Sequence, residues 1–106
     1  MTVEQFNLKL KTATKPLLIN FTADWCVVCK RQKPVLNQIM AEVKDQAELI
    51  VIDMESNPLI AAYFEVDGLP VTILYKDESM VWNWVDFQDK FQIMDQLSLF
   101  IRKREF

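Results

Sequence analysis

Histidine is absent from this 106-residue chain, glycine occurs once and cysteine twice. Each shortage closes off chemistry. Without histidine there is no serine or cysteine hydrolase triad of the usual kind. A structural zinc site wants four ligands, and two cysteines with no histidine disfavour one, so no metal is expected. A single glycine rules out a glycine-rich phosphate loop. Two cysteines in one short segment do not form the disulfide framework that small secreted domains use. Charge is weak as well. The formal net charge is −3, and the cations are dispersed apart from Lys30, Arg31 and Lys33 and the tail Arg102-Lys103-Arg104. Nucleic acid is therefore not an expected partner. No apolar run approaches the roughly 20 residues of a membrane span, so direct membrane insertion is not expected either. The opening Met1-Thr2-Val3-Glu4-Gln5 lacks the basic start and apolar stretch of a signal peptide. A cytoplasmic protein is the expectation, with a domain excised from a longer exported protein as the alternative.

What the chain does have is an ample apolar content, 51% of residues, which argues against disorder. Its length suits one hydrophobic core and not two, so a single domain over residues 1–106 is expected. The most informative segment is Cys26-Val27-Val28-Cys29, which follows the apolar run Leu17-Leu18-Ile19-Asn20-Phe21 through Asp24 and Trp25. This pattern reads as a strand feeding a helix with a dithiol at its first turn. Two thiols so spaced can close a disulfide and reopen it, and a helix N-terminus stabilises a thiolate there. Thiol–disulfide exchange is the chemistry this arrangement points to.

Elsewhere, Thr2-Val3-Glu4-Gln5 fits a capping box, and Val3, Phe6 and Leu10 share a helical face over 2–12. Pro16 opens a buried strand at 17–22. Asp24 is a candidate N-cap for a helix reaching Val43, with Pro34 inside it and Val35, Leu36, Ile39 and Val43 on its apolar face. Residues 49–54 form a second buried strand. Asn57-Pro58 opens a short helix through Phe64. Strands at 71–75 and 80–85 form a hairpin across Lys76-Asp77-Glu78-Ser79, in which Trp82 and Trp84 share a face and read as core. A last helix runs from about Gln88 to Lys103 with Phe91, Met94, Leu97 and Ile101 inward. The result is α/β: a mixed sheet flanked by helices on both faces, its first two strands parallel and its hairpin antiparallel. The lone Gly68, in Asp67-Gly68-Leu69-Pro70, suggests a positive φ or the close approach of another chain, with an ordinary loop as the plainer account. Pro70 suits a cis peptide.

Trp25-Cys26-Val27-Val28-Cys29-Lys30, Pro34 five residues beyond the second cysteine, and Gly68-Leu69-Pro70 ahead of a hairpin together resemble the thioredoxin family. The resemblance covers nearly the whole chain after residue 2. Ala23-Asp24-Trp25-Cys26-Val27-Val28-Cys29-Lys30 and Lys15-Pro16-Leu17-Leu18 resemble in particular the C-terminal, thioredoxin-like domain of DsbD, a bacterial membrane conduit for reducing equivalents. The resemblance implies Cys26 as an exposed nucleophile and Cys29 as the more buried resolving thiol. It implies that Trp25, Val27, Val28, Gly68, Leu69 and Pro70 seat the substrate, with the loop Val85-Asp86-Phe87 completing that surface. It implies protein disulfides as substrates and no cofactor beyond the redox disulfide. The electron donor would be another dithiol protein, either a flavoprotein reductase or a membrane conduit. A monomer is expected, and it would be periplasmic if the chain is a DsbD domain.

Three departures from the family pattern stand out. Asn20 occupies the place of a buried carboxylate, and Val51 that of its lysine partner; losing both together leaves no unpaired buried charge. Cys29 should then lose its proton through water, or more slowly. The usual first strand is also missing, so the resemblance implies four strands in the order 49–54, 17–22, 71–75, 80–85. Between the cysteines, Val27 and Val28 offer no stabilising group to the thiolate. Asp24 opposes the anion, while Lys30 and the helix dipole favour it. The balance predicts a modest depression of the thiol pKa and a site on the reducing side. A non-catalytic binding module of the same fold, or an oxidase or isomerase, are the alternatives.

Overall fold

The computed structural model describes residues 1–101. The chain folds in the order α1 (Val3–Thr12), β1 (Leu17–Thr22), α2 (Val27–Val43), a short 3-10 turn (Lys44–Gln46), β2 (Glu48–Asp53), α3 (Pro58–Tyr63), β3 (Val71–Lys76), β4 (Ser79–Val85) and α4 (Lys90–Leu97). The sheet order is β2-β1-β3-β4, as expected. β1 runs parallel to β2 and antiparallel to β3, and β3 pairs antiparallel with β4. The crossover through α2 places β1 at the centre, which explains why nearly every residue of β1 is buried. Among the described residues no strand precedes α1, and β2 is an edge with Val51 half-exposed.

Each face of the sheet carries its own core. Leu17, Ile19 and Phe21 point to one side, where α1 and α3 supply Phe6, Leu10, Ile60 and Ala61. Leu18 points to the other, where α2 and α4 supply Leu36, Ile39, Ile93 and Leu97. The alternation follows from the two-residue period of a strand. Exposed ion pairs, Lys9 with Glu48 at 2.6 Å and Lys90 with Glu42, add little stability.

Local chemistry explains the boundaries, including those that differ from expectation. Thr2 and Gln5 cap α1 reciprocally at 2.9 and 3.0 Å, although Val3 is exposed. Asn57 sits before Pro58 but does not cap α3; its amide donates to the Asp53 carbonyl at 3.0 Å instead. The hairpin turns on two residues, Asp77 and Glu78, at φ 53° and 62°, which extends each strand by one residue. α4 starts later than Gln88 because Asp89 and Gln92 form a second capping box. Its inner residues are Ile93 and Leu97, one turn apart. Phe91 lies two residues from Ile93, about 200° around the helix, and is exposed. That helix ends at Leu97 with Ser98 as its C-cap, short of the expected Lys103, although Ile101 beyond it still packs against the core; the Arg102-Lys103-Arg104 tail lies outside the described residues. Trp84 is core, whereas Trp82, nearer the hairpin turn, stays 47% exposed.

Candidate functional site

The N-cap of α2 is Cys26 and not Asp24. Cys26 has extended backbone (φ −87°, ψ 104°), and its Sγ accepts the Cys29 N–H at 3.1 Å. A cap must reach the N–H three residues on, and from Asp24 that would be Val27, where the helix is only beginning. Asp24 instead lies in the preceding turn, closed by the Cys26 N–H donating to the Ala23 carbonyl at 3.1 Å. Cys26 and Cys29 are joined by a disulfide with their Cα atoms 5.2 Å apart. The sequence places both sulfurs at the positive end of a 17-residue helix, where negative charge on Cys26 is favoured by the dipole and by a fixed N–H.

Cys26 is not the exposed residue expected. Its exposure is 6%, against 4% for Cys29, because its sulfur is bonded to Cys29 and faces the helix N–H. The exposed groups are its neighbours. Trp25 is 63% exposed, with its indole Nε1–H donating to Glu55 at 3.0 Å, and Val27 is more open still. Val28 and Leu69 are half-buried and Pro70 is buried. The Leu69–Pro70 peptide is cis. The Asp86 N–H donates to the Pro70 carbonyl at 2.9 Å, which brings the loop after β4 beside that proline. Gly68 makes no unusual backbone demand. Its φ is not positive, and a Cβ there would meet nothing within 4 Å.

Behind the disulfide lies a cavity of about 290 Å³ that touches Asn20, Asp24, Cys29, Lys30 and Val51. It is large enough for several waters. Asn20 is buried, and its amide donates to Thr72 Oγ1 at 3.1 Å and to the Val71 carbonyl at 3.4 Å. The amide thus bridges β1 to β3 instead of pointing a charge at Cys29. Asn20 and Val51 are register partners across β1 and β2, so the two departures from the family pattern are neighbours in space. No group of three or more His, Cys, Asp or Glu placed to hold a metal occurs among the described residues. No described helix is long and apolar enough to cross a membrane.

Several participants carry no strong sequence signal. Thr72 and Glu55 meet the site from 52 and 30 residues away. Arg31 stacks over the Phe87 ring at 5.0 Å. Gln32 is fully buried and pairs with the backbone of Gln88. It was legible in part, because it interrupts the buried stripe Cys29, Leu36, Ile39, Val43 at helical spacing.

The chain is similar to known proteins over most of its length. The thioredoxin family model matches residues 1–99. A thioredoxin of Mycolicibacterium smegmatis is 36% identical over 100 residues, covering 92% of this chain and 89% of its own. A thioredoxin-like protein of Synechocystis is 30% identical over 92 residues, covering 87% and 88%. The structure of chloroplastic thioredoxin z superposes with a TM-score of 0.83 at 22% identity, covering 93% of this chain and 89% of that one.

Proposed function

The chain belongs to the thioredoxin family, and from that premise we propose that it reduces protein disulfides, with Cys26 as nucleophile and Cys29 as resolving thiol. It is a thiol–disulfide oxidoreductase whose redox group is the Cys26–Cys29 pair, without a further cofactor. The observation that carries the direction of electron flow is the cap geometry. One N–H and one helix dipole favour the Cys26 thiolate, and Val27 and Val28 add nothing to them.

In the reduced protein the Cys26 thiolate attacks one sulfur of a substrate disulfide. That bond breaks, and the other substrate sulfur leaves as a thiolate. Cys29 then loses its proton and attacks Cys26 Sγ, which breaks the mixed disulfide. The substrate leaves as a dithiol, having gained two electrons, and the Cys26–Cys29 disulfide closes. Asn20 cannot accept the Cys29 proton, since an amide does not titrate near neutrality. Water in the cavity behind Cys29 is the acceptor this reading assigns. Trp25, Val27, Val28, Leu69 and Pro70 form the apolar seat for the partner. Gly68 leaves room for its backbone, and Asp24 and Lys30 bias the thiolate in opposite directions.

For the electron donor, a flavoprotein reductase and a cytoplasmic setting are the first reading. A DsbD-like relay in the periplasm is the second, favoured by the phrase Ala23 to Lys30. Reduction by one purified donor and not the other distinguishes them. The test of the main reading is the equilibrium reduction potential of the Cys26–Cys29 pair in a dithiothreitol buffer. A value near about −270 mV supports a reductant, and one near about −120 mV makes the protein an oxidase or isomerase.

A further inference from the structure

Gln32 is the most deeply buried polar side chain on the redox helix, with no exposed surface. It lies one turn beyond Cys29 on the same inner stripe as Leu36 and Ile39. A leucine or methionine would pack there without leaving side-chain polar atoms to satisfy. Instead both ends of the amide are spent on one residue of another segment. Nε2 donates to the Gln88 carbonyl at 2.9 Å, and Oε1 accepts the Gln88 N–H at 2.8 Å. The pairing imitates one rung of a sheet, made by a side chain across 56 residues.

Gln88 passes the constraint onward. Its own amide donates to the Val85 and Asp86 carbonyls at 3.3 and 3.4 Å. Asp86 holds φ at 77°, in the left-handed region that non-glycine residues enter uncommonly and aspartate more readily than most. Its carboxylate accepts the Phe87 N–H at 2.8 Å, and its own N–H donates to the Pro70 carbonyl at 2.9 Å. Arg31, next to Gln32, lies over the Phe87 ring. Two consecutive helix residues therefore grip two consecutive loop residues, and the loop in turn grips the cis-proline. The redox helix, loop 85–88 and Pro70 form one connected unit.

We propose that Gln32 is a positioning residue for substrate docking: its buried amide fastens loop 85–88 to the redox helix and so holds one wall of the seat around Cys26 at a fixed distance from the disulfide. The proposal rests on the reading of Trp25, Val27, Leu69 and Pro70 as that seat. A large partner spans the loop and the helix together and needs their spacing preserved. A small disulfide reaches Cys26 without touching the loop. Losing the clamp should thus alter the discrimination between the two, whereas a merely structural loss lowers both rates alike.

The experiment mixes prereduced protein with excess insulin and, separately, with a small aromatic disulfide, in single turnover. The readout is the ratio of the two second-order rate constants. Gln32→Met keeps the volume and removes both hydrogen bonds; the ratio should fall about tenfold, through a higher half-saturating insulin concentration. Gln88→Ala alters a partly exposed side chain and severs only the links within the loop; its ratio should fall about threefold. An unchanged ratio in folded Gln32→Met, or a parallel fall in both rates, overturns the proposal. Should Gln32→Met fail to unfold cooperatively, Gln32→Leu, which also lacks both hydrogen bonds, decides in its place. Wild-type protein inert toward both disulfides would instead overturn the reductant reading itself.

Discussion

On one side of the sheet, α1 and α3 cover Phe21 and Tyr75, α1 contributes Phe6, and Phe64 meets those three rings and Tyr63 edge-on at centroid distances from 5.0 to 6.2 Å. On the other, α2 and α4 cover Leu18, Leu74 and Trp84, and there the buried residues Asn20, Gln32 and Thr72 are also found. The first face is apolar and aromatic. The second holds all three buried polar side chains among the described residues, and none has a buried side-chain nitrogen or oxygen left unpaired. Burying an amide is unfavourable unless it is fully paired, and even then the net gain is small. Such groups are poor instruments of stability and good instruments of placement. Their location fits that division: Asn20 lines the cavity at Cys29, Thr72 holds Asn20, and Gln32 holds the loop beside Pro70.

Damage to the apolar face should leave the redox pair alone. Phe6→Ala removes a fully buried ring and should lower unfolding free energy by about 3–5 kcal/mol in denaturant titration. The reduction potential of Cys26–Cys29 should not move with it. A potential that drifted as stability fell would break the comparison.

The polar face should respond in the opposite manner. Asn20→Asp places a carboxyl where the amide now bridges β1 and β3. Burial would raise its pKa above the ordinary value of about 3.9, so the folded state would hold the proton more tightly than the unfolded one. Stability should then fall as pH rises through that range, by about 1–3 kcal/mol at neutrality. Resolution of the mixed disulfide should accelerate, since Cys29 gains a base. Stopped-flow decay of a mixed disulfide, read beside urea titrations across pH, checks both signs. Slower resolution would mean that cavity water already serves Cys29 better than a carboxylate.

A smaller effect sits at the rim of the aromatic face. Burial, then the neighbouring Tyr63 and Glu78, push the Tyr75 hydroxyl above its ordinary pKa of 10.0. The folded state keeps that proton to higher pH than the unfolded chain does. Its contribution is therefore complete below pH 10 and is lost as pH rises through the folded value. Tyr75→Phe should flatten the alkaline limb of stability, measured by thermal unfolding, and leave the neutral plateau in place. The smallest expected change is at Gly68. With no positive φ and open space around its Cβ, Gly68→Ala should alter stability by no more than about 0.5 kcal/mol. Any larger loss should appear in the half-saturating concentration of a protein disulfide, as expected if a partner's backbone approaches there.

Much of the fold was legible because its signals are local. The capping box at Thr2 and Gln5, the buried run 17–22, the turn residues 77 and 78 and the dithiol after a strand each act within a few residues. The element order, the parallel crossover and the antiparallel hairpin follow from them. Errors fell where two local signals competed. Asp24 is the stronger capping residue by type, but only Cys26 reaches the right N–H. Phe91 and Ile93 are both apolar, and the phase set by Asp89 turned the smaller one inward.

The sequence by itself determined the chemistry at Cys26 and Cys29, the strand-to-helix setting that activates it, and the absence of a titrating side chain at position 20. Only the tertiary structure decided how the site is held: Asn20 to Thr72, Trp25 to Glu55, and Gln32 to Gln88. Those partners lie 30 to 56 residues apart. A capping or turn signal acts over a few bonds of chain, whereas a side chain's distant partner is chosen by strand register and core packing, which exist only once the whole sheet has closed.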